Sequence, residues 1–236
     1  PIAATLAILA PWATAVQAQT PSDARLNAEF LLEFQTDFVV DSDTAANEFN
    51  NTFLTFEAAL GFVITDRLSF NASLTAEQIA AQTTNSFVED HGMFIEELYF
   101  AYDFGPAEVV AGKFNPAFGV AWDAAPGIYG VDFAEDYELA EALGFGVNVP
   151  VFGGAGDHVL SFAAFQADRS NLSDSFGESR GQTALFQGGP GNTDGIESLS
   201  LALAGELGDL AYNAGVQYLS KGQGDTDDQT GVVVGV

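Results

Sequence analysis

The residue types that most often carry chemistry occur in this chain without the geometry of a catalytic site. Asp157, His158 and Ser161 contain the residue types of a hydrolase triad. Adjacent residues on a strand point to opposite faces, however, so Asp157 could not orient the His158 ring. The acidic run 225–228 lacks the glycine and closing glutamate of a calcium-binding loop, and the glycine run 188–191 has no lysine for a phosphate. The sequence therefore predicts no enzyme, no metal site and no cofactor.

Carboxylates remain as the candidate functional groups, because they recur on one face of several predicted strands. A row of carboxylates along a water-filled channel attracts cations and repels anions. If the strands enclose water, these side chains would line it. The predicted pore-lining residues are Glu29, Glu33, Asp37, Glu57, Glu97 and Asp103.

Overall charge and cysteine content exclude several classes of protein. The 236 residues include 33 Asp and Glu but only 6 Lys and Arg, which gives a formal net charge of −27. No basic stripe is available to neutralise nucleic-acid phosphates or to dock on anionic cytoplasmic lipids. The absence of cysteine excludes disulfide scaffolds, thiolate metal sites and cysteine nucleophiles.

The elements that must position the carboxylates are strands, because apolar and polar residues alternate with a period of two. In the first run, Phe30, Leu32 and Phe34 share one face, whereas Glu29 and Glu33 lie on the other. About ten such runs follow one another, the later ones including residues 54–64, 97–104 and 137–149. The first run is about fifteen residues long, whereas strands of soluble proteins usually have three to ten.

The connections between these runs alternate between short and long. Short turns fall near residues 65–67, 105–107, 152–157 and 205–209, and long polar loops near 41–52, 77–92, 115–136, 168–195 and 221–229. This alternation is typical of a bacterial outer-membrane barrel, with short periplasmic turns and long extracellular loops. The predicted fold is therefore all-β, an antiparallel transmembrane β-barrel. The alternative is a secreted or surface-attached, non-conducting β-sandwich of the adhesin type.

Both ends of the chain carry expectations of their own. Residues 1–18 contain no charge and end in Val16-Gln17-Ala18, which predicts a partial signal peptide that lacks its basic start. One barrel domain is expected over residues 19–236. The last run is shorter than a membrane strand and lacks a terminal aromatic residue, so we expect a fragment of a barrel with roughly sixteen strands.

A further indication is the segment 112–119, Gly-Lys-Phe-Asn-Pro-Ala-Phe-Gly. It resembles the Gly-x-Phe-x-x-Pro-Phe-Gly run of phosphate-selective porin-like sequences, and the strand and loop rhythm resembles Gram-negative porins in general. The resemblance implies a passive diffusion channel in the bacterial outer membrane, a homotrimer in contact with lipid and lipopolysaccharide, with small solutes and ions as its cargo. It also implies a third long loop that folds inward as a constriction. The residues it assigns there are Lys113, Asn115, Asp123, Asp132, Glu135 and Asp136.

The sequence departs from a phosphate-selective pattern in its charges. Selection of anions needs rings or ladders of Lys and Arg along the pore. The candidates here are Lys113, Arg169 and Arg180, and the last two lie in a long loop. We therefore expect a channel that prefers cations.

Overall fold

The structure is a computed structural model that describes residues 25–124, 134, 137–151 and 156–236. The predicted signal peptide, residues 1–18, lies outside these residues. In the described part of the chain, no helix is both long and apolar enough to cross a membrane.

Long strands make up most of the described chain, as the period-two alternation predicts. The strands are β1 (Leu26–Phe38), β2 (Asn50–Thr65), β3 (Leu68–Gln78), β4 (Ser86–Phe87), β5 (His91–Asp103), β6 (Glu108–Phe114), β7 (Ala142–Pro150), β8 (His158–Ala167), β9 (Phe176–Gly177), β10 (Ser198–Leu207), β11 (Leu210–Leu219) and β12 (Gln229–Gly235). The helical elements described are α1 (Ala121–Ala124) and three 3₁₀ turns at Ala45–Asn47, Asn171–Ser173 and Leu185–Gln187. The predicted all-β fold is confirmed.

All twelve strands belong to one sheet. Its order is β1-β2-β3-β5-β6-β7-β8-β10-β11-β12, and each neighbouring pair is antiparallel. The two short strands lie beside this path, with β4 on β2 and β9 on β5. Consecutive long strands are therefore neighbours in space, and the connections alternate between short and long as predicted. The predicted total of roughly sixteen strands stays a prediction.

The two faces of the sheet have opposite character, and the apolar face is exposed. Phe30 is 66% exposed, Leu32 70% and Phe34 55%. In a β-sandwich these side chains would pack between two sheets, but here they lie on the open face of one sheet. This arrangement suits contact with lipid, because a membrane barrel carries its apolar residues outside.

One strand begins later than the sequence pattern predicts. Tyr137 and Leu139 were expected on the same strand as Leu143 and Phe145, but β7 begins at Ala142. Leu139 instead lies in the loop before β7, where it is 7% exposed within a hydrophobic cluster. Glu141 also precedes the strand and has a positive φ of 53°. Because Glu141 lies outside the strand, the alternation of β7 does not place its side chain on the apolar face.

Candidate functional site

Four carboxylates form an acidic wall on the polar face of the first two strands: Glu29, Glu33, Asp37 and Glu57. The register pairs Leu31 with Glu57, so Glu57 lies between Glu29 and Glu33 on the neighbouring strand. Strands lie about 4.8 Å apart, and alternate residues of one strand are about 6.7 Å apart. Glu57 therefore lies about 8 Å from both Glu29 and Glu33, roughly one Debye length at physiological ionic strength, whereas Asp37 lies about 13 Å beyond Glu33.

The other two predicted pore-lining residues have different surroundings. Asp103 is the last residue of β5, and its Oδ1 accepts a 2.6 Å hydrogen bond from the Gly105 main chain, which caps the short turn that follows. Glu97 lies further along β5, paired with Ser73 on the polar face of β3. Its Oε1 accepts a 3.1 Å hydrogen bond from the main-chain N–H of Asn115. Glu97 is thus bound to the start of the loop that follows β6.

A β-bulge adds a second carboxylate beside Glu97. The register pairs Leu74 with Ile95 and Ser73 with Glu97, which leaves Glu96 as the inserted residue. A bulge re-aims the side chain of the residue it inserts. The Oε2 atom of Glu96 accepts a 3.0 Å hydrogen bond from Thr75, a polar-face residue. Strict alternation could not reveal this residue, because it assigns Glu96 and Glu97 to opposite faces.

Asn115, the first residue of the β6–β7 loop (residues 115–141), connects these carboxylates. Its side-chain Nδ2 donates to Glu96 Oε1 at 2.8 Å and to Glu138 Oε1 at 3.4 Å. Its Oδ1 accepts a 2.8 Å hydrogen bond from the main-chain N–H of Glu141, the last residue of the same loop. One amide therefore holds both ends of the loop together and orients carboxylates from β5 and from the loop.

Lys113 lies in β6 rather than in the loop, one residue before the strand ends. The register places it beside Leu98 and Leu143, which belong to the apolar face, yet its side chain is 2% exposed. Its Nζ lies 2.7 Å from Glu141 Oε2 and 3.1 Å from Asp168 Oδ2. Its charge is therefore neutralised inside the protein and is not available to a passing anion.

Arg180 completes an ion network with Lys113, Glu141 and Asp168. Its two terminal nitrogens both donate to the Glu141 carboxylate, and its Nε donates to the Ser173 carbonyl at 2.9 Å. The guanidinium carbon also lies 3.7 Å from the centre of the Phe94 ring. With two cations and two anions, the ion network has no formal net charge. Glu141, Asp168 and the pairing of Arg180 were not identified from the sequence, because the closest partners are 28 and 39 residues apart in the chain.

The β6–β7 loop also packs against the polar face of distant strands of the sheet, as far as β11. Phe118 is 5% exposed and belongs to a hydrophobic cluster with Val110 and Phe165. The carbonyl of Phe118 lies directly over Gly215 of β11, where any side chain would collide with it. By register, Gly215 shares the polar face of the sheet with Ser161 and Asn148. The start of the loop therefore crosses the polar face from β6 to β11.

The remaining residues of the predicted constriction cannot be placed in the same way. Asp132, Glu135 and Asp136 lie outside the described residues, and so does the side chain of Asp123. Their role in a constriction stays a prediction.

The six basic residues of the chain are all described, and five of them lie outside the long strands. Arg25 precedes β1 and Arg67 lies in the short β2–β3 turn. Arg169 forms a 3.4 Å ion pair with Asp194, and Lys221 donates to the Thr226 carbonyl at 3.2 Å. With Lys113 and Arg180 held in the ion network, the polar face of the described strands presents no basic side chain.

Hydrogen bonding organises two carboxylates in the long loops. Ser179 Oγ and the main-chain N–H groups of Ser175 and Gly181 donate to Asp174, which lowers its pKa. The main-chain N–H of Lys221 lowers the pKa of Asp228. Both carboxylates accept these hydrogen bonds from residues of their own loops. Among the described residues, no three acidic or histidine side chains are arranged to hold a metal ion.

Comparison with known proteins identifies a family that the chain matches over most of its length. The family model described as phosphate-selective porin O and P matches residues 30–203, from the first strand of the acidic wall to β10. No curated protein and no solved structure matches the chain.

Proposed function

The chain belongs to the phosphate-selective porin O and P family, and from this premise we propose that it forms a passive diffusion channel whose acidic wall favours cations. The family is one of outer-membrane porins, so the chain is a β-barrel channel protein and not a member of an enzyme family. The acidic wall is the observation that carries the proposed preference, since it concentrates charge of one sign on the polar face.

The electrostatic argument depends on overlap between neighbouring carboxylates. One exposed carboxylate in a wet channel attracts cations only within about 8 Å at physiological ionic strength. Glu57 lies about 8 Å from both Glu29 and Glu33, which is about one Debye length, so the potentials of the three carboxylates overlap around Glu57. We expect the sum to raise the local concentration of cations and to lower that of anions.

The family description names phosphate, and this chain supplies little of the chemistry that phosphate needs. Phosphate is bound best by arginine or lysine side chains that are free to donate. Lys113 and Arg180 already donate to Glu141, and the remaining basic residues lie in loops or turns. An anion-selective channel would therefore require basic residues other than those on the described strands.

The surroundings of the channel follow from the same proposal. The exposed apolar face would contact the lipid of the bacterial outer membrane, and the long loops would face lipopolysaccharide on the outer surface. A homotrimer is the assembly that resemblance to porins suggests. Chemical cross-linking in detergent would test it, and a single monomeric band would contradict it.

Reversal potentials in planar bilayers under a KCl gradient would test the proposed selectivity. We expect a sign that corresponds to K⁺ over Cl⁻, and a smaller preference at high salt because screening shortens the Debye length. The variant E33Q/E57Q should weaken the preference. E178Q is the matched control, since Glu178 is an exposed acid in a long loop.

Three outcomes would contradict the proposal. Preference for Cl⁻ or phosphate in the wild type would refute the cation preference and support the selectivity that the family description names. An equal effect of E178Q and E33Q/E57Q would remove the acidic wall as the cause. A protein that is released without detergent and forms no channel would support the alternative of a non-conducting, adhesin-like β-sandwich.

A further inference from the structure

We propose that Arg180, a residue of the long loop between β8 and β10, is a positioning residue for the pore. Through Glu141, it would hold the β6–β7 loop at its neck, where the first residue of the loop, Asn115, meets the last, Glu141. It would thereby set the arrangement of the carboxylates beside the channel. This inference rests on the proposed channel function and adds a residue that touches no solute.

The guanidinium is held on every side that the structure describes. It makes a two-point contact with the Glu141 carboxylate, donates to the Ser173 carbonyl and lies 3.7 Å from the centre of the Phe94 ring. Because the guanidinium is planar and donates two hydrogen bonds to one carboxylate, it fixes the orientation of the Glu141 carboxylate as well as balancing its charge. The main-chain N–H of Arg180 also donates to Ser175 Oγ at 2.9 Å, so the loop itself is oriented.

The contact is transmitted to the channel through one further residue. Glu141 donates its main-chain N–H to Asn115, and the Asn115 amide in turn donates to Glu96 and Glu138. Displacement of Glu141 would therefore shift Asn115 and release the carboxylates that it orients. The chain of contacts runs from a long loop to the polar face of β5.

Arg180 is better suited to this role than Lys113, although both contact Glu141. The side chain of Lys113 is 2% exposed and belongs to β6, so its loss would disturb the strand itself. The side chain of Arg180 is 22% exposed and belongs to a loop. Without it, Lys113 would still pair with Glu141 and Asp168, so we expect the sheet to fold and the neck to loosen.

Two variants and one control would test the inference. R180Q removes the charge and the fork, whereas R180K keeps the charge and removes the two-point contact. R169Q is the matched control, because Arg169 lies in the same loop and pairs at 3.4 Å with the largely exposed Asp194. Each protein would be refolded in detergent, checked for heat-modifiable migration and recorded as single channels in planar bilayers.

We expect R180Q to increase open-channel current noise severalfold and to shift the reversal potential, with R180K intermediate and R169Q unchanged. A purely structural role would lower the yield of folded protein and leave these two readouts of the folded fraction unaltered. Currents of R180Q and R180K that match the wild type would overturn the inference.

Limited proteolysis with a glutamate-specific protease separates this inference from the proposed function. R180Q should expose Glu138 and Glu141 and accelerate cleavage there, relative to R169Q. If the wild type does not conduct but R180Q is cleaved faster, the channel proposal fails and the neck contact stands. If R180Q and R169Q are cleaved at equal rates, the inference fails whether or not the protein conducts.

Discussion

The main-chain N–H of Glu141 donates a 2.8 Å hydrogen bond to Oδ1 of Asn115, which joins the last and first residues of the β6–β7 loop. This bond closes the loop at the point where it leaves and re-enters the sheet. The same Asn115 amide also donates to carboxylates on β5 and in the loop. The position of the loop and the orientation of nearby charge therefore depend on one side chain.

We expect N115A to destabilise the folded protein by about 1–3 kcal/mol, since it leaves the Glu141 N–H and the carboxylates of Glu96 and Glu138 without this partner. The loss would appear as a lower denaturant midpoint in detergent. N148A is the control, because Asn148 donates a single 3.3 Å bond to Glu108. Equal midpoints for N115A and N148A would show that Asn115 has no special role.

The contact between Phe118 and Gly215 predicts a change in conductance. The G215A methyl group would meet the Phe118 carbonyl and lift the start of the loop from the polar face, at a cost of about 1–3 kcal/mol. We expect an altered single-channel conductance in the folded protein. G61A is the control, since a methyl group there would make ordinary contacts, the nearest at 3.4 Å. An unchanged conductance in G215A would contradict the prediction.

Removal of Lys113 should be costly because its partners are buried with it. K113M would leave Asp168 without its cation, and the loss of one partner from a buried pair costs about 3–5 kcal/mol. The temperature at which the heat-modifiable band disappears on gels would measure this loss. K221M is the control, since Lys221 is exposed and should change stability by less than about 0.5 kcal/mol. A midpoint for K113M equal to that of K221M would contradict the burial argument.

Acid should loosen the loop that carries Arg180. The pKa of Asp174 is lower in the folded loop than its ordinary value, so ionised Asp174 stabilises the loop above the unfolded pKa of about 3.9. This stabilisation is lost as the pH falls through the lower folded pKa. We expect faster proteolysis by an acid-active protease within residues 168–183 as the pH falls below about 4. D174N should be cleaved rapidly at every pH, with D43N, in another loop, as the control.

The sequence predicts the strands well because each side of the sheet meets a different medium. Alternation specifies which face a residue takes, and long strands repeat the signal many times. The loop rhythm and the exposed Phe30, Leu32 and Phe34 follow from the same cause. Alternation is therefore sufficient for the fold class and for the position of the acidic wall on one face.

The neck of the β6–β7 loop could not be predicted in this way. The bulge at Glu96 breaks alternation by one residue, and nothing in the local pattern marks it. Glu141 lies next to a strand but has a positive φ, which sequence patterns rarely reveal outside glycine. The ion network joins residues from three separate elements, so its charges could be counted from the sequence but not paired.

Lys113 depends for its counter-charges on segments that follow β6 in the chain. Its register pairs it with Leu98 and Leu143 of the apolar face, but its side chain is only 2% exposed and contacts carboxylates within the protein. Its counter-charges, Glu141 and Asp168, are synthesised later and belong to segments beyond β6. A β5–β6 hairpin that entered the membrane first would carry a bare cation with it. The charge of Lys113 is therefore balanced only when the segments that follow β6 and β8 have joined the sheet.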